Sequence, residues 1–495
     1  MKALMVVGTT SYAGKSLITA ALCRILHKQG WRVTPFKGQN MSLNAYVTAN
    51  GAEIAYAQAV QAWAAGILPR VEMNPILLKP QGDMTSQVIL NGNVQGQVGA
   101  EEYYEQFFDR GWQEIQRSLN YLTANYDIIV CEGAGSPAEI NLKHRDLTNM
   151  RVAKYLNAHT ILVVDIERGG AFAHVVGTLE LLEPEERALI KGIIINKFRG
   201  RRSLLDSGIT WLENRVGIPV IGVIPWLDHA FPSEDSLDLW ERRNDKSSSD
   251  LTITVIRLPR ISNFTDFDPL AAEPSVNLKY LGLRDTLGRP DAVIIPGTKT
   301  TISDLLAMQK TQLAAQIRDY VLSGGTLLGI CGGFQMMGET IADPEGTEGL
   351  EGRFIGLQLL PLKTTISGTK ITRQRQVYSL YPQTGLPISG YEIHQGRTTP
   401  ISGGTKNPPL TMMPLFDDGT LGMVDSSQCL WGTYLHGIFE NGCWRRAWLN
   451  RLRQQRGLKS LPTGIPNFQE QREASLDILV NTIEANIDLM RVMPR

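Results

Sequence analysis

The sequence predicts two α/β domains in series, and three observations carry that prediction. Short apolar runs alternate with helical patterns through the first half of the 495 residues, the alternation stops at a charged, serine-rich stretch, and it restarts beyond. The expected division is residues 1–240, residues 251–450 and a helical extension over residues 451–495. Length agrees, because single cores stop growing near about 250–300 residues.

In the first half, Leu4 to Val7, Ile128 to Val130, Ile161 to Val164, Ile193 to Ile195 and Val220 to Val223 are uninterrupted apolar runs. Runs of this kind are strands buried on both faces, as in a parallel sheet. Between the first two, Lys15 to Gln29 sets Ile18, Ala21, Leu22, Ile25 and Leu26 on one helical face, with Gly30 as terminator. The stretch ERRNDKSSSD, Glu241 to Asp250, carries almost nothing that packs into a core, and the linker is expected there. After it, Ile253 to Ile256, Ala292 to Ile295 and Leu327 to Ile330 read as strands, and Ile302 to Leu322 as a helix-rich crossover. Gly349 to Pro414 is rich in Gly, Pro, Thr and Ser, and irregular β structure is expected.

Charge and cysteine content narrow the function classes. The 49 basic residues balance 49 acidic ones, which removes the electrostatic reason to expect a nucleic acid or an anionic membrane as partner. Five scattered cysteines form neither a disulfide framework nor a zinc spacing, as expected of a cytoplasmic protein. No uncharged apolar stretch is long enough to span a bilayer, and the apolar start is too short for a signal peptide. The sequence carries no signature of an oligomeric state.

GTTSYAGKS, Gly8 to Ser16, follows the first strand and opens the first helix, the context of a phosphate-binding loop. Gly8, Thr9 and Gly14 shape a loop whose N–H groups face phosphate oxygens, Lys15 neutralises the terminal phosphates, and Ser16 ligates Mg²⁺. ATP and Mg²⁺ are therefore expected. The Mg²⁺ site needs a carboxylate from a neighbouring strand, and Glu132 stands at a strand end before Gly133 and Gly135. Asp146 and Asp165 occupy similar positions, as ligands or as loop caps. Lys37 and Asn40 follow the second strand on the phosphate side, and Asn196 with Lys197 follow another where a base contact would sit.

GICGGFQMMG places Cys331 in a sharp strand-to-helix turn between glycines, the form of a nucleophile elbow. A lone cysteine is ordinarily buried filler. Here Gly329, Gly332 and Gly333 permit the turn, and a helix N-terminus favours thiolate. His436, at the end of a later apolar strand in WGTYLHGIFEN, is the candidate base, with His394 in GYEIHQGR as competitor. Gly297 and Thr298 in PGTKTT supply N–H groups for an oxyanion hole.

FKGQNMSLN, MNPILLKP, EGAGSPAEINL, DIERGG, INKFRG, PGTKTT, GICGGFQMMG, GYEIHQGR and YLHGIFEN occur in this order over nearly the whole chain. Together they resemble the cobyric acid synthase family of cobalamin biosynthesis. The resemblance implies a dethiobiotin synthetase-like P-loop domain followed by a flavodoxin-like class I glutamine amidotransferase domain. It implies ATP- and glutamine-dependent amidation of the b, d, e and g carboxylates of an (adenosyl)cobyrinic acid a,c-diamide, so glutamine and a corrinoid are the expected partners. Carried onto this sequence, Cys331 is the nucleophile, His436 its base and Gln335 a glutamine-pocket residue. Lys15, Ser16 and Glu132 are the ATP–Mg²⁺ set, with Gly297, Asn40 and Asp146 on the substrate side.

One position departs from the pattern. The usual Glu two residues after the histidine is Ile438 here, so either Glu440 orients His436 or the site works as a dyad. Rival readings are the synthase for the a and c carboxylates, another two-domain amidoligase such as the cytidine triphosphate type, and, in a different class, a partition-type nucleotide switch.

Overall fold

The apolar runs of the first half pair as a parallel sheet. In the computed structural model, which describes residues 2–82, 84–227, 246, 249–401 and 410–494, six strands lie side by side. Their order is Val220–Pro225, Ile190–Phe198, His159–Asp165, Lys2–Gly8, Ile128–Glu132 and Val33–Phe36, all parallel. Alternate residues enter opposite cores: Met5, Val7 and Ile129 on one face, Leu4, Val6 and Val130 on the other. Burial on both faces is why these runs contain no polar interruption. Register sets Val6 beside Glu132, so the loop after Gly8 and the Glu132 carboxylate emerge together at the carboxyl edge, where open α/β sheets bind ligands.

The second half repeats the plan. Val276–Gly282, Leu251–Arg257, Ala292–Ile295, Thr326–Ile330 and Leu430–Thr433 form a parallel array, extended by the antiparallel strands Gly422–Asp425 and Met412–Pro414. The crossover is two helices, Thr301–Lys310 and Leu313–Leu322.

The segment read as irregular β structure is more regular than its composition suggests. Leu362–Tyr378 and Pro387–Pro400 pair as a long antiparallel hairpin within a five-stranded sheet that also receives Leu435–His436. Leu362, Thr364 and Ile366 alternate inward while their neighbours face solvent. Thr364 holds the inward place between Leu362 and Ile366, so a count of apolar residues misses the period, although a β-branched side chain suits a half-buried strand. The linker expected over residues 241–250 lies, apart from Lys246, Ser249 and Asp250, outside the described residues.

The end of the chain returns to the first domain. Helix Phe468–Glu484 buries Leu476, Leu479, Val480 and Ile483 in the same core as Ile18, Leu22 and Ile25 of helix Lys15–Lys28. Arg24 pairs across this contact with Asp477 at 3.0 Å and Glu473 at 3.1 Å. Directly between the domains, Ala45, Val47, Leu77 and Ile89 pack on Tyr391 and Ile393. Backbone amides are satisfied across the same seam: Phe264 N–H donates to Asn44 Oδ1 at 2.9 Å and Ala45 N–H to Asn263 Oδ1 at 3.0 Å. Among the described residues, no helix is long and apolar enough to cross a membrane.

Because Ile483 is fully buried between the last helix and the first domain, Ile483→Ala is expected to lower the unfolding free energy by about 2–5 kcal/mol in urea titrations. A change within measurement error would mean that the terminal helix does not anchor there.

Candidate active sites

Two glycines let the phosphate loop close on its lysine. Gly14 has φ 101°, in the left-handed region, and a Cβ there would lie 2.1 Å from Asn196 Nδ2. A Cβ at Gly8 would stand 3.0 Å from Lys15 Nζ. Lys15, buried at the helix start, donates to Thr10 O at 3.0 Å and Gly135 O at 2.9 Å. The ammonium is thereby held in the mouth of the loop.

Beside it lies Glu132, 1% exposed. Its Oε1 accepts from Ser16 Oγ at 2.8 Å and from Lys37 Nζ at 2.8 Å, and its Oε2 from Gln61 Nε2 at 2.5 Å. A serine hydroxyl touching a carboxylate provides the hard oxygen donors that Mg²⁺ selects, so this pair fits the ion. Gln61 was not singled out from sequence; it comes from helix Tyr56–Ala64, whose Gln58 also accepts from Asn40 Nδ2 at 3.0 Å.

Other expected residues are present with altered emphasis. Thr9 spends its N–H on Val163 O at 2.9 Å, which leaves its buried Oγ1, unpartnered among the described residues, as the group open to a ligand. Asn196, expected at the base, donates to Ala13 O at 2.9 Å and braces the loop. Asp146 accepts N–H groups from Thr148 and Asn149 at 2.9 and 2.7 Å on one oxygen and from Arg151 at 3.0 Å on the other. Those contacts are those of a cap before helix Met150–Leu156. Asp165 likewise accepts from Glu167 N–H at 2.8 Å and pairs with Lys197 at 2.8 Å.

In the second domain, Cys331 has φ 51° and ψ −110°, a strained conformation for a residue with a side chain. Close packing enforces it: a Cβ on Gly333 would lie 2.0 Å from Ile295 O, and one on Gly329 2.6 Å from Met337 Sδ. The helix that follows, Gly332–Met336, is one short turn, so its contribution is first-turn N–H groups rather than a long macrodipole. Cys331 is 7% exposed and opens onto a cavity with Thr298, Gln335, Ile393 and His394. Gln335 sits inside it, donating to Tyr434 Oη at 3.2 Å.

His436 arrives on the last strand with its Nδ1 2.7 Å from Asp266 Oδ2. The other Asp266 oxygen accepts Gly437 N–H at 2.8 Å. His436 Nε2 is buried and hydrogen-bonds no described group. Gly297 lies against this ring, since a Cβ there would stand 3.0 Å from His436 Cε1. Burial pushes the imidazole pKa down, but the Asp266 charge and hydrogen bond, together with the Cys331 sulfur, outweigh it and raise the pKa from 6.5 to about 10. The competitor His394 stacks on Tyr434 at 3.9 Å, with Nδ1 at 2.8 Å from Gly396 O and Nε2 at 3.4 Å from Glu392.

Asp266 resolves the departure at Ile438. Neither Glu440 nor a dyad is observed: Glu440 is 3.3 Å from Tyr56 Oη and 3.1 Å from Arg472, and the imidazole partner is a carboxylate 170 positions earlier. Asp266 lies between Phe264 and Phe267 in a buried turn. An acid enclosed by aromatics was the signal available in the sequence.

The two halves match known families separately. Residues 4–237 match the CobQ/CobB/MinD/ParA nucleotide binding domain, and residues 252–444 the CobB/CobQ-like glutamine amidotransferase domain. Over 494 residues, 100% of both chains, the sequence is 67% identical to a cobyric acid synthase of Trichormus variabilis. The chain belongs to the cobyric acid synthase family. Further cobyric acid synthases, from Nostoc punctiforme and Synechococcus elongatus, are 68% and 65% identical over 99% of each chain. As a member of the cobyric acid synthase family, the chain joins a parallel-sheet P-loop domain to a glutamine amidotransferase domain.

Asp266→Asn keeps the side-chain shape and removes the charge that favours imidazolium. The His436 pKa is expected to fall well below about 10 in a histidine NMR titration, since burial remains when the charge is removed, and glutamine hydrolysis to fall by about 10²–10⁴-fold. The stabilising term has a definite sign. A pKa raised on folding contributes fully below about 6.5 and is lost as pH climbs through about 10, so the stability gap between the parent chain and Asp266→Asn should narrow at high pH.

Proposed function

We propose that this chain converts an (adenosyl)cobyrinic acid a,c-diamide to cobyric acid in the cytoplasm by amidating its b, d, e and g carboxylates with ATP and glutamine. Residues 1–240 act as the amidoligase unit and residues 251–450 as the glutaminase unit, and residues 451–495 fasten the end of the chain to the first unit. The observation that carries this reading is the triplet Cys331, His436 and Asp266 on the same chain as the Lys15 loop, in a sequence of this family.

A carboxylate oxygen leaves too poorly for ammonia to displace it, so the acceptor carboxylate is first converted to an acyl phosphate. Lys15 and the loop N–H groups spread the charge of the transferring phosphoryl group. Ser16 and Glu132 would hold Mg²⁺, which would neutralise phosphate charge there. The acceptor carboxylate reaches this point through a cavity of about 230 Å³ lined by Gln39, Gly135, Ser136 and Lys143.

In the second unit Cys331 Sγ attacks the side-chain amide carbon of glutamine. The oxyanion is held by N–H groups of the turns at Gly297 and Gly332, and His436 Nε2 delivers the proton with which ammonia departs. Water, deprotonated by the same nitrogen, cleaves the thioester and releases glutamate. Asp266 keeps the imidazole ring oriented and stabilises its protonated form. Ammonia then attacks the acyl phosphate and phosphate leaves.

Cys331→Ser is expected to abolish glutamine-driven amidation and to leave amidation from ammonium salts. Equal loss with both donors would contradict the division of labour. Lys15→Ala is expected to stop amidation with either donor, measured by counting amides on the corrinoid by mass. The same assay with cobyrinic acid and with uridine triphosphate separates this reading from a synthase for the a and c carboxylates and from a cytidine triphosphate-type ligase.

A further inference from the structure

The cavity onto which Cys331 opens is walled by charge from both domains. Lys79, on the strand Ile76–Pro80 of the first domain, reaches it, as do Lys299, Lys370 and Glu348 of the second. Behind them Glu53 of the first domain, 1% exposed, pairs with Lys79 and, at 2.5 Å, with Lys370. The Lys299 ammonium has no hydrogen-bond or salt-bridge partner among the described residues. Three ammonium groups therefore stand against two carboxylates in a place where burial makes an unmatched charge costly. Burial, reinforced by the neighbouring lysines, lowers Lys299 to about 7, and burial lowers Lys79 to about 8. Burial likewise raises Glu348 to about 7.

None of these groups takes part in the chemistry at sulfur. They stand beside it, and Thr301 links them to the glutamine pocket: its Oγ1 is 3.4 Å from Gln335 Oε1 and 3.2 Å from Glu348 Oε1. A ligand that presents its amide to Cys331 and an adjacent carboxylate and ammonium at its other end matches this arrangement of charges. Resting on the glutaminase reading above, we propose that Lys299 and Lys79 bind the α-carboxylate of glutamine and Glu348 its α-ammonium. The glutamine site is then completed by the ATP-binding domain. Lys79 is a specificity residue supplied across the interface, and Glu53 sets both Lys79 and Lys370 in place. Glutamine is hydrolysed only where the two domains are docked.

Two truncated amides test this on the full chain. 4-Carbamoylbutanoate keeps the carboxylate and lacks the amine, and 4-aminobutanamide keeps the amine and lacks the carboxylate. Lys299→Met, which disturbs no ion pair, is expected to raise KM for glutamine by about 10- to 100-fold, the range of a charged hydrogen bond. It should also collapse the preference for the carboxylate-bearing amide. Lys299→Arg should keep the preference that Lys299→Met loses, and Lys79→Met should shift the same ratio, with ammonium-driven amidation as the check that the first domain is intact. Glu348→Gln should weaken the amine-bearing amide instead. Unchanged ratios in both methionine variants would overturn the proposal and leave the cluster as interface cement. Failure of the glutaminase reading looks different, because Cys331→Ser would then leave glutamine hydrolysis intact.

Discussion

The buried contact between His436 Nδ1 and Asp266, 2.7 Å long, is the interaction on which the proposed chemistry of the second domain depends. An imidazole enclosed by protein without a charged partner favours its neutral form. The Asp266 carboxylate reverses that preference, outweighing burial through its charge and its hydrogen bond. The requirement then passes outward into the fold. Asp266 needs its turn between Phe264 and Phe267, and that turn is pinned to the first domain through Asn263 and the Phe264 amide. The His436–Asp266 pair is thus tied through backbone to the domain interface.

Both active sites obey one steric rule, in which a central parallel strand ends in a turn that neighbouring atoms leave no room to change. At the first, Gly14 is confined by Asn196; at the second, Gly333 is confined by the Ile295 carbonyl. The outcomes differ because the residue following the strand differs. A glycine-lined loop turns the Thr10 carbonyl onto the Lys15 ammonium, whereas a cysteine forced to φ 51° projects its sulfur into a cavity. One layer architecture therefore builds a lysine-bearing loop and a strained cysteine turn in succession.

What could be read from the sequence was what is encoded locally. Strands buried on both faces advertise themselves as apolar runs, and the loop at Lys15 and the turn at Cys331 each fit within about ten consecutive residues of the chain. The carboxylate partner of His436 is not encoded that way. It was sought near His436, at Ile438 and Glu440, whereas it lies 170 positions upstream. Glu440 instead serves Tyr56 and Arg472, joining the terminal helix to the first domain. The long hairpin is hard to read because Thr364 breaks the apolar pattern between Leu362 and Ile366, and Asp146 reads equally as ligand or cap because its three N–H donors are set by the fold. The charged cluster around Lys79 was invisible because it is assembled from segments that meet only at the interface.

Cysteine reactivity tests the account most directly. The chain has five free thiols; Cys443 is exposed, while Cys331 is buried. The decisive measurement is intact and peptide mass after brief treatment with a chloroketone analogue of glutamine. The account predicts a single adduct at Cys331, prevented by glutamine and lost in Asp266→Asn. Labelling that follows exposure, with Cys443 modified and Cys331 untouched, would contradict it.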